Sequence, residues 1–242
     1  MKGVRSSQNG WGIRGFQGIS LLDFPGRVAS LVFLGGCNFS CPFCHNPSLV
    51  LSRRLSLGDE VPLNRVLEEV SKRRRLVTGM VVSGGEPTLQ EDLLMELLER
   101  ARALGLATKL DTNGSRPRVI ERVLDGGLAD VVALDLKTSP DRYPVATGGG
   151  EFAPVAESLE IIKEKAPHYI LRTTLVPGLV DERDLEELAA LAQGVPEYHL
   201  QPFSSRVTLD PQYESTNTYP PELMERMARV LEERGIRVIR LW

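Results

Sequence analysis

Apolar, β-branched runs alternate with helix-patterned runs along most of the chain. Residues 28–34 (VASLVFL) read as a buried strand. Residues 62–74 read as a helix, with Val66, Leu67 and Val70 at helical spacing. Residues 76–83 (LVTGMVVS) give the next strand. Residues 90–104 give the next helix, with Leu93, Leu94, Leu97 and Leu98 on one face. The pattern continues with a strand over 107–111, a helix over 118–125, a strand over 130–134 and a helix over 152–165. A strand over 169–175, a helix over 182–193 and a short strand over 198–201 follow. A helix over 221–234 and a candidate last strand over 236–241 end it.

Six strand-then-helix units in a row imply an α/β fold with a parallel sheet and right-handed crossovers. The strands lack clean in–out alternation, which fits burial on both faces. A curved sheet or partial barrel accommodates this better than an open sheet of separate halves; periodicity alone leaves the choice open. No Pro-, Gly- or Ser-rich stretch divides the chain, and Thr147–Gly150 (TGGG) reads as a loop. The expectation is one domain over 1–242. It has a lead-in over 1–27, a core over about 28–203, and a C-terminal helix and candidate strand over 221–242.

Composition narrows the class. The chain has 242 residues, 42% hydrophobic and 25% charged, which are ordinary globular values and disfavour disorder or a coiled coil. Lys plus Arg is 29 and Asp plus Glu is 32, a net charge of -3, so no bulk basic surface points to nucleic acid. The basic run Lys72–Arg75 sits at a helix end, where cations complement the macrodipole. The start, MKGVRSSQNGWGIRG, carries no apolar core of signal-peptide length. The longest uncharged run, 28–52, is broken by Gly35-Gly36, Asn38, Pro42, Asn46 and Pro47. A membrane helix needs about twenty mostly apolar residues. A soluble cytoplasmic protein, with neither membrane nor nucleic acid as partner, is expected.

The cysteines change the picture. There are three, Cys37, Cys41 and Cys44, all within eight positions and directly after a strand. An odd, clustered set is no disulfide framework. The spacing C-x3-C-x2-C can ligate three corners of an iron–sulfur cluster, leaving one iron open to a small molecule. A structural zinc wants four ligands. His45 could supply the fourth on paper, but it adjoins Cys44, and neighbours rarely close on one tetrahedral ion.

With Phe43 before the last cysteine, this segment resembles the radical S-adenosylmethionine (radical SAM) enzymes. The lead-in Ser20-Leu21-Leu22-Asp23-Phe24-Pro25-Gly26 and the ending Cys44-His45-Asn46-Pro47 resemble glycyl-radical-enzyme activating proteins, specifically those of anaerobic ribonucleoside-triphosphate reductase. The resemblance implies a partial (β/α)6 TIM-like barrel, the radical SAM core. It implies that Cys37, Cys41 and Cys44 hold a [4Fe-4S] cluster whose fourth iron chelates S-adenosylmethionine. One electron then cleaves the sulfonium to methionine and a 5′-deoxyadenosyl radical, which abstracts hydrogen. A flavodoxin or ferredoxin-type donor and a separate glycyl radical enzyme as protein substrate are implied as partners. A radical SAM enzyme acting on a small molecule or another modification target is the alternative.

In parallel α/β barrels function gathers at the C-terminal strand ends, and each further motif falls at one. Ser83-Gly84-Gly85-Glu86-Pro87-Thr88 offers glycines for close backbone approach to a ligand. Read alone it is a common turn; beside the cysteines it resembles the family's motif for the SAM amino group, with Glu86 as acceptor. Asp111-Thr112-Asn113-Gly114 is either an Asx turn or a set aimed at the barrel mouth near SAM. Asp135-Leu136-Lys137 is either a salt bridge or a SAM contact. The resemblance further implies a monovalent cation on Asp111, Thr112 and Asp135. Arg172 either steers the SAM carboxylate or charge-balances the site, or forms a structural ion pair, and Val176 could cover the adenine with its backbone. After Pro202, Ser204 stands where the pyruvate formate-lyase type carries a histidine. His199 and His168 read as satisfied structural histidines, and Trp11 and Trp242 as packing residues.

Overall fold

The computed structural model describes residues 11–50 and 60–242, so the first ten residues of the expected lead-in lie outside the described residues. Eight strands form one sheet in sequence order. They are β1 (Ile13–Ser20), β2 (Ala29–Leu34), β3 (Gly79–Gly84), β4 (Ala107–Thr112), β5 (Val131–Asp135), β6 (Tyr169–Leu175), β7 (Glu197–Pro202) and β8 (Val238–Arg240). Strands β2 to β8 run parallel, and β1 pairs antiparallel with β2. The α-helices are α1 (Pro47–Val50), α2 (Leu63–Arg73), α3 (Glu91–Ala103), α4 (Pro117–Asp125), α5 (Tyr143–Thr147), α6 (Ala153–Lys165), α7 (Glu182–Leu191) and α8 (Pro221–Glu232). Among the described residues no ladder joins β8 back to β1, so the sheet is a barrel left open.

Every strand read from the pattern is present, its bounds within three residues. Strand β1 is not legible in that pattern. Its glycines at 15 and 18 interrupt the alternation, and the ladder to β2 shifts register twice. Gly15 lies against the Phe33 ring, which a side chain there would crowd.

The sheet is apolar on both faces, as parallel strands covered by helices should be. The outer layer joins Val82, Leu110 and Leu134 of the strands to Leu94, Leu97 and Leu98 of α3 and their counterparts on the other helices. Each such fully buried leucine contributes about 1.5–3 kcal/mol. The inner layer is small: Phe24, Ala29, Leu31, Val81, Val131, Ala133 and Ile170. It fills the base of the barrel. Above it, toward the strand C-termini, the inward positions turn polar.

Candidate active site

The cysteine loop leaves β2 through Gly35 and Gly36. Gly36 has φ +88°, a backbone shape that favours glycine. Its N–H donates to the Leu49 carbonyl at 2.7 Å, which closes the loop on itself. Distant segments hold the rest. Ser40 N–H donates to the Thr147 carbonyl at 2.8 Å, and Asp210 N–H donates to the Pro42 carbonyl at 2.9 Å. The Phe39 ring meets Tyr143 edge-on at 6.0 Å. The stretch Thr147–Gly150, legible in the sequence only as a loop, is therefore a buttress of the cysteine segment. Cys37, Cys41 and Cys44 are all free thiols and all line one cavity of about 650 Å³. That size suits a nucleoside-sized ligand.

Gly84 and Gly85 line the same cavity, but the first reason for glycine is different from the one read in the sequence. A Cβ on Gly84 would stand 2.1 Å from the Leu34 carbonyl oxygen, and one on Gly85 would stand 2.1 Å from that of Gly36. The two glycines let the end of β3 press on the end of β2. Glu86 corrects the sequence expectation more sharply. It is wholly buried and does not line the cavity, so its carboxylate is not presented to a ligand ammonium. Its Oε1 accepts from Thr88 N at 3.0 Å and Thr112 Oγ1 at 2.8 Å, and its Oε2 accepts from Asn113 N at 2.6 Å. Burial pushes the Glu86 carboxyl up, while these donors oppose it. Glu86 thus ties the end of β3 to the end of β4.

Asn113 returns that tie to the cysteines. Its Nδ2 donates to Asn38 Oδ1 at 3.1 Å and stands 3.8 Å from Cys37 Sγ. Its Oδ1 also accepts from Ser115 N at 2.9 Å, so the Asx turn and the inward-facing group are the same residue.

Across β4, β5 and β6 runs an alternating strip of charge. Lys109 Nζ bonds Asp111 Oδ1. Arg172 Nη1 stands 3.1 Å from Asp111 Oδ2, and Arg172 Nε 2.8 Å from Asp135 Oδ1. Lys137 Nζ stands 2.9 Å from Asp135 Oδ2. Burial alone would raise Asp111 and Asp135, but Arg172 and then the lysines outweigh it and hold both well ionised. Burial lowers Lys109, with Asp111 pulling the other way. Asp111, Asp135, Lys137 and Arg172 line the cavity, as does Thr112.

Phe43 lines the cavity and is buried, and His45 lines it at the exposed rim. Crowding on its cavity side, then the Lys137 ammonium, lower the His45 imidazole. Val176 does not line the cavity. It is buried, and its carbonyl accepts from Leu179 and Val180 N–H in the turn after β6. Ser204 lines the cavity, in company with Gln201, Pro202 and Phe203. His199 is paired with Glu197 at 3.0 Å. Lys109 is the residue the motif reading missed. Its signal was a lysine two positions before Asp111, on the same face of a strand.

Two groups implied by the resemblance can be tested on these residues. Three thiols on one wall suit three corners of a cluster. Among the described residues no three His, Cys, Asp or Glu are gathered closely enough for a single metal ion. Around one zinc, thiolates would crowd to roughly 4 Å, given Zn–S bonds of about 2.3 Å; a cluster spreads them. Burial pushes the Cys37 thiol up to about 12 and the Cys41 thiol up to about 11, so ionisation there needs the positive charge of bound iron. The monovalent cation fits poorly: each carboxylate oxygen of Asp111 and Asp135 already holds a lysine or arginine nitrogen, the place is ringed by three cations, and Thr112 Oγ1 donates to Glu86.

Residues 31–192 match the family model described as the radical SAM superfamily. The chain belongs to the radical SAM superfamily. Within it, the chain groups with glycyl-radical enzyme activating proteins. It is 32% identical to a candidate glycyl-radical enzyme activating enzyme of Methanocaldococcus jannaschii, with 83% of each chain covered. It is 28% identical to pyruvate formate-lyase 1-activating enzyme of Escherichia coli, over 94% of this chain and 97% of that one. Among solved structures, Streptococcus suis SuiB bound to S-adenosylmethionine superposes with a TM-score of 0.66 at 16% identity. That match covers 85% of this chain and 48% of SuiB, so this radical SAM chain spans about half of SuiB's length. AdoMet-bound anSMEcpe superposes with a TM-score of 0.59 at 19% identity, over 85% of this chain and 58% of that one. These likenesses show the partial TIM-barrel fold. Membership of this superfamily implies a [4Fe-4S] cluster and S-adenosylmethionine. No helix among the described residues is long and apolar enough to cross a membrane.

Proposed function

We propose that this radical SAM enzyme activates a glycyl radical protein, anaerobic ribonucleotide reductase, by abstracting hydrogen from a backbone glycine. The observation that carries it is that the three cysteines line the same cavity as Asp111, Asp135, Lys137 and Arg172. When bound, the cluster and S-adenosylmethionine supply one-electron cleavage to a 5′-deoxyadenosyl radical. The protein's part is placement, electrostatics and exclusion of water.

Cys37, Cys41 and Cys44 would hold three irons. Residues Gly84 and Gly85 offer main chain to the ligand's amino group, the task first read for the Glu86 side chain. Glu86 instead positions Thr112 and Asn113. Arg172 and Lys137 face the cavity as cations and suit the ligand's carboxylate, with Asp111 and Asp135 holding them in place. Phe43 and His45 flank the cluster at the rim. This reading requires neither Val176 nor a free monovalent cation. The same reading takes 28–203 as the core of one domain, reduced by a flavodoxin or ferredoxin-type donor in the cytoplasm. Three free thiols suit a reducing compartment.

The test is to incubate the reconstituted enzyme anaerobically with S-adenosylmethionine, reductant and the reductase. A glycine-centred signal by electron paramagnetic resonance is expected. Cleavage of S-adenosylmethionine without that signal would favour a small molecule or another modification target.

A further inference from the structure

Lys109 has no task in the reading above. It lies mid-strand on β4, in register with Val81 of β3 and Val131 of β5. Its stem therefore crosses the inner apolar layer, and the residue is 2% exposed. It does not line the cavity. Only the ammonium reaches the polar level, where it bonds Asp111 Oδ1. A buried ammonium is costly unless paired, and a strand position among valines is an unusual place to keep one for packing.

The bonded strip contains three cations, Lys109, Arg172 and Lys137, against two carboxylates, Asp111 and Asp135. Each carboxylate oxygen has its own cationic nitrogen. Asp23, which accepts from Ser20 Oγ, is another charge on the cavity wall. A sodium or potassium ion would find no free carboxylate oxygen on the strip and would meet three like charges.

We propose that Lys109 is a tethered monovalent cation: its ammonium fills, on Asp111, the place a free sodium or potassium ion would take, and the enzyme binds S-adenosylmethionine without one. This rests on the reading of the cavity as the S-adenosylmethionine site. Lys109 acts through Asp111, which in turn holds Arg172 toward the cavity, so it is a positioning residue. Arg172 and Lys137, which line the cavity, remain for the carboxylate of the ligand.

The test is equilibrium binding of S-adenosylmethionine to the reconstituted holoenzyme in potassium, sodium and choline chloride at equal ionic strength. Wild-type affinity should agree within about twofold across the three salts. Lys109→Met frees an oxygen of Asp111, and its binding should be at least tenfold tighter in potassium than in choline. Lys109→Arg keeps a fixed charge and should show no such preference. The melting temperature of the chain without S-adenosylmethionine gives a second readout: potassium should raise it for Lys109→Met and leave wild type unchanged. A wild-type enzyme whose binding requires potassium or sodium would overturn this inference alone, and needs no variant to fold. A folded Lys109→Met enzyme indifferent to salt in both readouts would also overturn it. No binding by wild type in any salt would overturn the S-adenosylmethionine reading, and this inference with it.

Discussion

The two walls of the cavity are built by different means. The cysteine wall is a loop held mostly by backbone: Gly36 to Leu49, Ser40 to Thr147, Asp210 to Pro42, and two glycines pressed against it. Its thiols carry little of that load: only Cys37 Sγ takes contacts, from Phe39 N–H and Asn113 Nδ2. The charged wall is the reverse. It stands on the regular strands β4, β5 and β6, and its side chains are spent on one another. A loop that must give its thiols to iron cannot also use them for its own stability. A strand end that must present charge in a partly dry cavity needs counter-charges to keep it there. One wall is therefore organised for ligation and the other for electrostatics.

Changing single residues should separate these roles. The largest effect is expected from Cys41→Ala. It should abolish S-adenosylmethionine cleavage and drop iron well below the roughly four per chain that a [4Fe-4S] site holds. The melting temperature of the iron-free chain should hardly move. Iron analysis and a thermal scan check both halves; retained cleavage would sink the reading of this wall. Arg172→Gln should do the opposite to the fold. It strips a partner from both Asp111 and Asp135 and should destabilise by about 3–5 kcal/mol. At about 2–4 °C per kcal/mol for a chain of this size, the melting point should fall by roughly 6–20 °C. Iron binding by the folded fraction should survive.

The smallest effect sharpens the contrast through pH. Asp111 and Asp135 are held below their ordinary values by their cationic neighbours. Their contribution is therefore fully present above the unfolded value of about 3.9. It is lost as pH falls from there through the folded values. Wild-type stability should drop in that window, and Asp135→Asn, already lacking one of the two carboxylates, should drop less steeply. Denaturant titrations between pH 6 and the acid limit would show it; parallel slopes would mean that Asp135 is not ionised in the folded protein.

The cysteine wall was legible because its chemistry is compressed into eight residues, and spacing alone announces shared ligation. What holds it was not. Thr147 and Asp210 act through their backbone, and backbone hydrogen bonds leave no residue-type signature. Glu86 was legible as important but its role was misread. The motif locates a carboxylate at a strand end, while only the packing of β3 on β4 turns it inward to Thr112 and Asn113.

By itself, the sequence determined the order of strands and helices, the parallel sheet, the three-thiol loop and the strand ends where polar groups collect. Those follow from local periodicity and spacing, which short segments carry alone. Tertiary structure decided which charges pair, that Lys109 reaches Asp111 beneath the cavity floor, that Glu86 is structural, and that β1 adds an antiparallel edge to the open barrel. These depend on residues far apart in the chain meeting in a low-dielectric interior, where partners rather than residue types set what each group can do.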